Sequence, residues 1–327
     1  MNTRIYNSTY FFALVVFGVF ALSGTVNAYE VEQIPGGDQV FGDFVVGPTK
    51  IDVVLEPGTK RVIELLVTNR MGSKRLFSLG VEDMRGSDDI SQPVVLLGDD
   101  RGPYSLKDYL KFPKQTFELG HGERARIPVT ISIPANAQPG GLYGSVLVTT
   151  NSIKGVDDGM KKEGALAGTV IVSRIGALFF VTVPGDAHKE GKVVKFATVP
   201  DGKTFFSQGP IGFQILFENT GSVHLNPSGD ISIKNILGEE VGAVAIEPWY
   251  ALPGSTRLRE LTWNRSNLFG RYTAEARISR GYNNEMDVVT TSFFVIPWMF
   301  LAIGIFGLAV AFFILRFILK TFKIARK

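Results

Sequence analysis

The chain contains no cysteine and only three histidines among its 327 residues. It therefore forms neither disulfide bonds nor thiolate metal sites, and its stability has to come from hydrophobic cores of sufficient size. The formal net charge is only +3. Five of the positive charges lie together at the C-terminal end, as Arg316, Lys320, Lys323, Arg326 and Lys327. The rest of the chain is close to neutral, which gives a nucleic-acid partner no electrostatic support.

The few candidate catalytic groups do not form a recognisable centre. Nucleophilic catalysis needs a base beside the nucleophile, and the histidines lie in turn-like contexts that match no catalytic or metal-binding spacing. These are His121, His188 and His224. We therefore predict no enzyme activity, no resident metal and no cofactor.

Three pairs of carboxylates leave calcium binding open. Oxygen ligands of this kind suit Ca²⁺, but no EF-hand frame surrounds them, and solvated loop carboxylates are the commoner interpretation. The pairs are Asp88-Asp89, Asp99-Asp100 and Asp157-Asp158.

The N-terminus has the features of a secretory signal. Arg4 precedes an apolar run over residues 11–22, and a small-residue pattern ends in Ala28, so we predict a signal peptide over residues 1–28 with cleavage after Ala28. The alternative is a membrane anchor, which needs roughly 20 apolar residues where this run has about a dozen. The mature chain is therefore expected to be exported, and the absence of cysteine favours a bacterial surface.

A second apolar run, over residues 296–315, carries no charge. At ~1.5 Å per residue it is long enough to cross a ~30 Å hydrocarbon core, which predicts a transmembrane helix. The basic tail over residues 316–327 follows without any acid. The positive-inside rule then places the tail in the cytoplasm and residues 29–295 outside, with Trp298 at the outer interface.

Apolar residues recur at every second position in the region between these two runs. Ile63, Leu65 and Val67 show the pattern, which puts one face of a strand in a core and the other in solvent. Turn signals separate the strands, so we predict an antiparallel β-sandwich over residues 29–185. Pro128, within one run, predicts an edge strand because proline has no N–H for a second neighbour.

The same pattern predicts a second immunoglobulin-like sandwich over residues 186–295. Ile211, Phe213, Ile215 and Phe217 alternate with less apolar residues ahead of an Asn-Thr-Gly turn. The length suits one such domain. The predicted fold class is therefore all-β: two immunoglobulin-like β-sandwich domains plus one C-terminal transmembrane helix.

A long excursion interrupts the first module between Asp83 and Lys114. It is too long for an ordinary loop. Ser105 and Asp108 resemble a capping box, which predicts a short helix through Leu110. An excursion on a rigid sandwich is where a binding surface is expected, although a flap that covers a sheet edge is an equal alternative.

Aromatic side chains near turns are the candidate ligand-binding residues, since sugar rings stack on tyrosine and tryptophan. The candidates are Tyr104, Tyr109, Tyr143, Trp249 and Tyr250. The alternative for each is packing into its own sandwich with the polar tip at the surface.

The first module resembles the peptidoglycan-binding domain of WxL-interacting proteins. The motifs that carry the resemblance are LEPG at 55–58, VTNR at 67–70, the stretch at 117–148 and a returning strand at 176–183. The order of parts is also similar: signal, this domain, a second immunoglobulin-like domain, one helix and a basic tail. The resemblance implies a cell-surface scaffold whose first domain binds peptidoglycan and which partners other surface proteins.

Two other functions stay open. One is a chaperone-like two-sandwich protein that assists the assembly of exported surface proteins. The other is a sugar-processing enzyme, which would need two carboxylates facing each other across a groove.

The predicted topology is testable on intact cells. Because the signal peptide and the charge asymmetry place residues 29–295 outside, added protease should remove that whole region and leave the helix and tail. Immunoblots against tags at both ends measure this. Full protection of the region would contradict the topology.

Overall fold

The computed structural model describes residues 29–154 and 169–321. The predicted signal peptide, the Asp157-Asp158 pair and the end of the basic tail lie outside those residues. The described residues form nineteen β-strands, one short 3₁₀ helix and one α-helix. The fold is all-β with a C-terminal helix, as predicted.

The first domain consists of two facing sheets. Its strands are β1 (Glu30–Gln33), β2 (Asp43–Gly47), β3 (Lys50–Val54), β4 (Lys60–Arg70), β5 (Arg75–Gly86), β6 (Val94–Leu96), β7 (Leu110–Lys111), β8 (Thr116–Leu119), β9 (Glu123–Ser132), β10 (Gly140–Lys154) and β11 (Thr169–Val183). One sheet has the order β1-β9-β4-β2, with β7 also on β9; the other has the order β3-β11-β10-β5-β6, with β8 also on β5. Inward side chains from both sheets fill one hydrophobic core.

The period of two explains how this core forms. On β9, Ala125, Ile127, Val129 and Ile131 are fully buried, and the residues between them are partly exposed. Alternating burial of this kind is what a strand shows when only one of its faces meets a second sheet.

Pro128 does not lie on an edge strand, so that prediction was wrong in detail. β9 has β4 on one side, where Pro128 pairs with Glu64. On the other side β1 pairs only as far as Arg126 and β7 pairs from Thr130 onward. The proline lies in the gap between these two short strands, so its missing N–H does not interrupt either ladder.

The second domain is a smaller sandwich. Its strands are β12 (Gly191–Val199), β13 (Phe205–Phe206), β14 (Ile211–Asn219), β15 (Ser228–Asn235), β16 (Glu240–Ile246), β17 (Ser255–Trp263), β18 (Gly270–Ser279) and β19 (Met286–Val295). One sheet has the order β12-β14-β17 and the other has the order β13-β19-β18-β15-β16. The four alternating residues of β14 noted in the sequence are all fully buried between these sheets.

The α-helix, α1, spans Trp298–Thr321. Among the described residues it is the one helix that is long and apolar enough to cross a membrane, over Ala302–Lys320. It begins two residues after the start of the predicted apolar run, because Pro297 precedes it.

The excursion between Asp83 and Lys114 is structured and packs against the second domain. It contains β6, β7 and a 3₁₀ helix at Lys107–Tyr109 in place of the predicted capping-box helix. No side chain within the helix caps its N-terminus. Ile90, in the excursion, accepts a hydrogen bond from the backbone of Leu258 on β17 at 3.2 Å. The excursion therefore covers part of the domain interface.

Buried Asp83 on β5 holds this excursion in place. Its carboxylate accepts the backbone N–H groups of Gly102 at 3.1 Å, Leu106 at 3.0 Å and Lys107 at 2.9 Å. The carboxylate thus caps the 3₁₀ helix from a distant strand, and it satisfies N–H groups that have no partner at a helix start. Asp83 itself is fully buried.

Replacing Asp83 with alanine should destabilise the first domain on the order of 3 kcal/mol, because three buried donors lose a charged acceptor. Urea unfolding monitored by circular dichroism measures the change. The matched control is Asp88→Ala in the same segment, whose side chain is 85% exposed and whose loss should cost under ~0.5 kcal/mol. Equal stability of the two variants would contradict the capping role.

Candidate functional site

The two sandwiches meet through a small apolar cluster. Met84, Tyr143 and Phe180 come from the first domain and Leu252 comes from the second. Phe180 also contacts the ring of Tyr250, with ring centres 4.9 Å apart. We call these residues the interdomain cluster. It fixes how the first domain meets the second, because buried apolar side chains favour one packed arrangement.

Tyr143 adds a polar contact at the centre of this cluster. Its hydroxyl oxygen accepts the backbone N–H of His224 at 2.5 Å, and the His224 Nδ1 atom lies 3.4 Å away. The other ring nitrogen, Nε2, lies 3.1 Å from the carboxylate of Asp52 on β3. Asp52 and His224 belong to different domains, so this series of polar contacts joins the first domain to the second.

The ionisation of these groups follows from their surroundings. Burial raises the pKa of Tyr143 far above its ordinary value, so the hydroxyl stays protonated and its proton is available to Nδ1. Nε2 of His224 then carries a hydrogen that is donated to Asp52. Burial opposes ionisation of Asp52, but hydrogen bonds and charges from His224 and Lys50 together hold its pKa below the ordinary value.

The sequence-predicted aromatic candidates are mostly committed to packing. Tyr143 is 1% exposed and Trp249 is 7% exposed, so neither ring face is open to a sugar. Their burial agrees with the packing alternative given for them, because these turn-adjacent positions lie at the domain interface and in the second core, and ligand binding by them stays a prediction. Tyr104 packs partly against Tyr143, with ring centres 6.0 Å apart, and Tyr109 packs partly on the first core. Tyr250 is half-buried beside the interdomain cluster.

Two basic side chains lie beside the ring of Tyr250, and a third lies near one of them. The Nζ atom of Lys50 lies 5.0 Å from the centre of its ring, and the guanidinium of Arg257 lies 5.6 Å from it. Burial and the neighbouring charge of Arg259 lower the pKa of Arg257 despite the opposing influence of Tyr250. Arg257 and Arg259 also have buried nitrogen atoms without a hydrogen-bond partner in the described part of the chain. Lys50 also pairs with Asp52 at 3.2 Å, and the two arginines leave this rim of the interface with an excess of positive charge.

An unpaired strand edge is the most prominent feature of the first domain. β11 is fifteen residues long and pairs with β10 along its whole length. On its other side β3 runs parallel to it and pairs only with residues 178–182. Within the described residues, no strand pairs with this side from Thr169 to Ala177. We call this stretch the open edge.

The direction of the backbone groups at the open edge follows from the paired part. The N–H of Leu178 donates to Thr49 and the C=O of Thr182 accepts from Leu55, so even-numbered residues of β11 point their backbone groups toward β3. Successive residues alternate in direction along a strand. Val172, Arg174 and Gly176 therefore present backbone donors and acceptors at the open edge.

The side chains at the open edge have two environments. Ile175 packs partly on the first core and Ala177 is buried in it. Val172 is exposed, and Arg174 forms an ion pair with Glu82 on β5. One face of the open edge is therefore apolar. The other face carries a charged residue, which commonly discourages unwanted strand pairing at a sheet edge.

The β10–β11 hairpin extends beyond the rest of its sheet. β5 pairs with β10 only from Gly144 to Thr150. The last four residue pairs of the hairpin, from Asn151 opposite Val172 to Lys154 opposite Thr169, have no further strand neighbour among the described residues.

The other sequence candidates lie apart from one another. His121 accepts the backbone N–H of Gly72 at 3.1 Å, and His188 lies in the linker beside Glu190. Asp88 and Asp99 lie within the excursion, and within the described ranges no three metal-ligating side chains come together. None of these groups joins His224 at the interface, so no catalytic constellation is assembled by them.

No family model and no curated protein matches this chain. Solved structures with a similar fold include the chaperone–tip adhesin complex of CFA/I fimbriae, at 12% identity over 76% of this chain and 98% of that one, with a TM-score of 0.37. The CsuC–CsuE complex of Acinetobacter baumannii Csu pili matches at 10% over 76% and 97%, with a TM-score of 0.35. The E. coli chaperone DraB matches at 15% over 77% and 97%, with a TM-score of 0.33. These likenesses assign no ligand or partner, and the resemblance to WxL-interacting proteins stays a prediction.

The contact between Asp52 and His224 predicts a pH dependence of stability. The pKa of Asp52 is depressed in the folded state, so its contribution is present above the ordinary carboxyl pKa and is lost as the pH falls through the lower folded value. Asp52→Asn should lower the melting temperature at pH 6. The difference in melting temperature from the unmodified protein should disappear as the pH falls below the ordinary carboxyl pKa and through the lower folded value.

Thermal unfolding between pH 2.5 and pH 7 measures this gap. Asp201→Asn is the matched control, because that side chain is 92% exposed and its removal should leave the melting temperature nearly unchanged at every pH. A difference for Asp52→Asn that stays constant down to pH 2.5 would contradict the stabilising contact between the Asp52 carboxylate and His224.

Proposed function

We propose that this protein is a membrane-anchored, non-catalytic two-sandwich protein that binds an extended segment of another exported protein along the open edge of β11. The unpaired backbone of β11 from Thr169 to Ala177 is the observation that carries the proposal. This function is closer to the chaperone-like alternative than to a peptidoglycan scaffold, since the aromatic residues selected for sugar stacking are largely buried or packed.

Strand addition is the chemistry that suits such an edge. An added strand gains main-chain hydrogen bonds, and alternate side chains give specificity. Val172, Arg174 and Gly176 supply the donors and acceptors. A segment with apolar residues at every second position would place them beside Ile175 and Ala177, at the rim of the first core.

The space for an incoming strand is bounded by β3. Lys50 begins β3 and pairs with Leu178, so an added strand lies in line with β3 and ends beside Lys50. The positive rim around Tyr250 begins at that point. An acidic residue on the segment, at the end nearest to Lys50, would complement this charge.

In this proposal a membrane anchor holds the open edge at a cell surface. α1 has the length and composition of a membrane span, and the basic residues after residue 315 favour a cytoplasmic C-terminus. Partners are therefore sought among exported and surface proteins.

A pair of substitutions at Val172 tests the proposal. Val172→Pro removes the N–H at the open edge without breaking a bond to β10, and the ring obstructs an added strand. Val172→Thr keeps the N–H and the branched shape, so it is the matched control. We expect both variants to keep melting temperatures within a few degrees of the unmodified protein, and only Val172→Pro to lose on the order of tenfold or more in partner affinity.

The partner is first captured with a photo-reactive amino acid at position 174 in living cells and identified by mass spectrometry. Its purified form is then titrated against both full-length variants in detergent. An unchanged Kd for Val172→Pro, or adducts with glycan alone, would overturn strand addition at this edge.

A further inference from the structure

Four loops of the second domain converge at the end from which α1 leaves. The strand register places Gly270 opposite Val295, the last residue of β19, and Phe205 opposite Phe294. Asn235, at the end of β15, pairs with Tyr272. The loops after β12, β15, β17 and β19 therefore share one end of the sandwich, and the opposite end meets the first domain.

Large apolar side chains are exposed at this shared end. Phe205 is 60% exposed, Ile236 is 75%, Leu237 is 78%, Phe269 is 73% and Trp298 is 68%. Isolated exposed apolar residues are ordinary on soluble proteins, but a group on one face marks an interaction surface. These residues come from four separate segments: β13, the turn after β15, the loop after β17 and the start of α1.

The same end contains a depression of about 810 Å³. Ser207, Gln208, Ser266 and Asn267 supply polar groups to its wall, and Phe269 and Trp298 supply aromatic ones. A wall that combines polar and aromatic groups suits the boundary between lipid headgroups and acyl chains, where amphipathic rings are favoured.

The charges at this end nearly balance. Lys203, Arg265 and Arg271 are exposed, and so are the acids Asp201, Glu239 and Glu240. Arg265 also donates to the carbonyl of Val241. Association with a membrane would therefore depend on apolar contact and not on anionic lipid.

We propose that this end of the second domain docks into the interfacial layer of the membrane lipid, with Phe205, Leu237 and Phe269 as the inserted side chains. The proposal rests on the membrane-anchoring part of the proposed function. The lipid is the occupant because the depression and the apolar residues are continuous with α1 through Pro297 and Trp298. Docking at this end adds a second contact beside the helix and restricts tilting of the second domain.

Because the chain contains no cysteine, a single introduced cysteine is the one site that a thiol-reactive fluorophore can label. Full-length Leu237→Cys and Phe269→Cys are labelled with an environment-sensitive fluorophore and reconstituted into phosphatidylcholine vesicles. Met286→Cys is the matched control. It is 54% exposed and lies at the other end of β19, opposite Ser279.

We expect labels at 237 and 269 to shift to shorter wavelength, to be quenched by bromine-bearing lipid and to be protected from aqueous iodide. The label at 286 should behave in the opposite way. Replacing a third of the lipid with anionic phosphatidylglycerol should change neither result, because the charges at this end balance.

Flotation of the vesicles is measured in parallel and separates the two proposals. Protein that floats with the vesicles but keeps iodide-accessible labels at 237 and 269 is anchored without docking, which overturns this inference alone. Protein that does not float overturns the membrane anchor as well. A shift that appears only with anionic lipid would overturn the apolar basis of docking.

Discussion

The buried hydroxyl of Tyr143 is the contact on which the arrangement of the two sandwiches depends. It accepts the backbone N–H of His224 from the second domain, and its ring lies against Phe180 and His224. Gly141 allows this position, since a Cβ at that residue would lie 1.9 Å from the Tyr143 hydroxyl. A larger residue at 141 would displace the ring and with it the bond to the second domain. The hydrogen bond between His224 Nε2 and the carboxylate of Asp52 joins the two domains beside it.

The excursion of the first domain, residues 83–114, adds contacts to the interface between the two domains. Asp83 binds its backbone at three points, and Ile90 bonds to β17. Residues 83–114 are therefore used for structure, and among the described residues no strand pairs with the outer side of β11 from Thr169 to Ala177. A short β3 leaves that backbone unpaired, so the length of one strand sets the extent of the open edge.

Much of the architecture was predictable from local patterns. The alternation of apolar residues predicted strands on β9 and β14, and the uncharged run after residue 295 predicted α1. The aromatic candidates were less predictable, because a tyrosine beside a turn has the same local sequence whether the turn faces solvent or another domain. Tyr143 and Trp249 were candidates for ligand binding or for packing for this reason, and Ser105 was expected to cap a helix that Asp83 caps.

The sequence by itself determined the fold class, the position of the apolar helix and the absence of disulfide and thiolate chemistry, since these follow from composition and from periodicity over a few residues. Only the tertiary structure decided which strand edge is left open, which aromatic rings are buried and which loops meet at the end of the second domain that carries α1. The physical reason is that periodicity shows which face of a strand is buried and contains no information about its neighbour. Pairing between β3 and β11, separated by more than a hundred residues along the chain, is set by the packing of the whole domain.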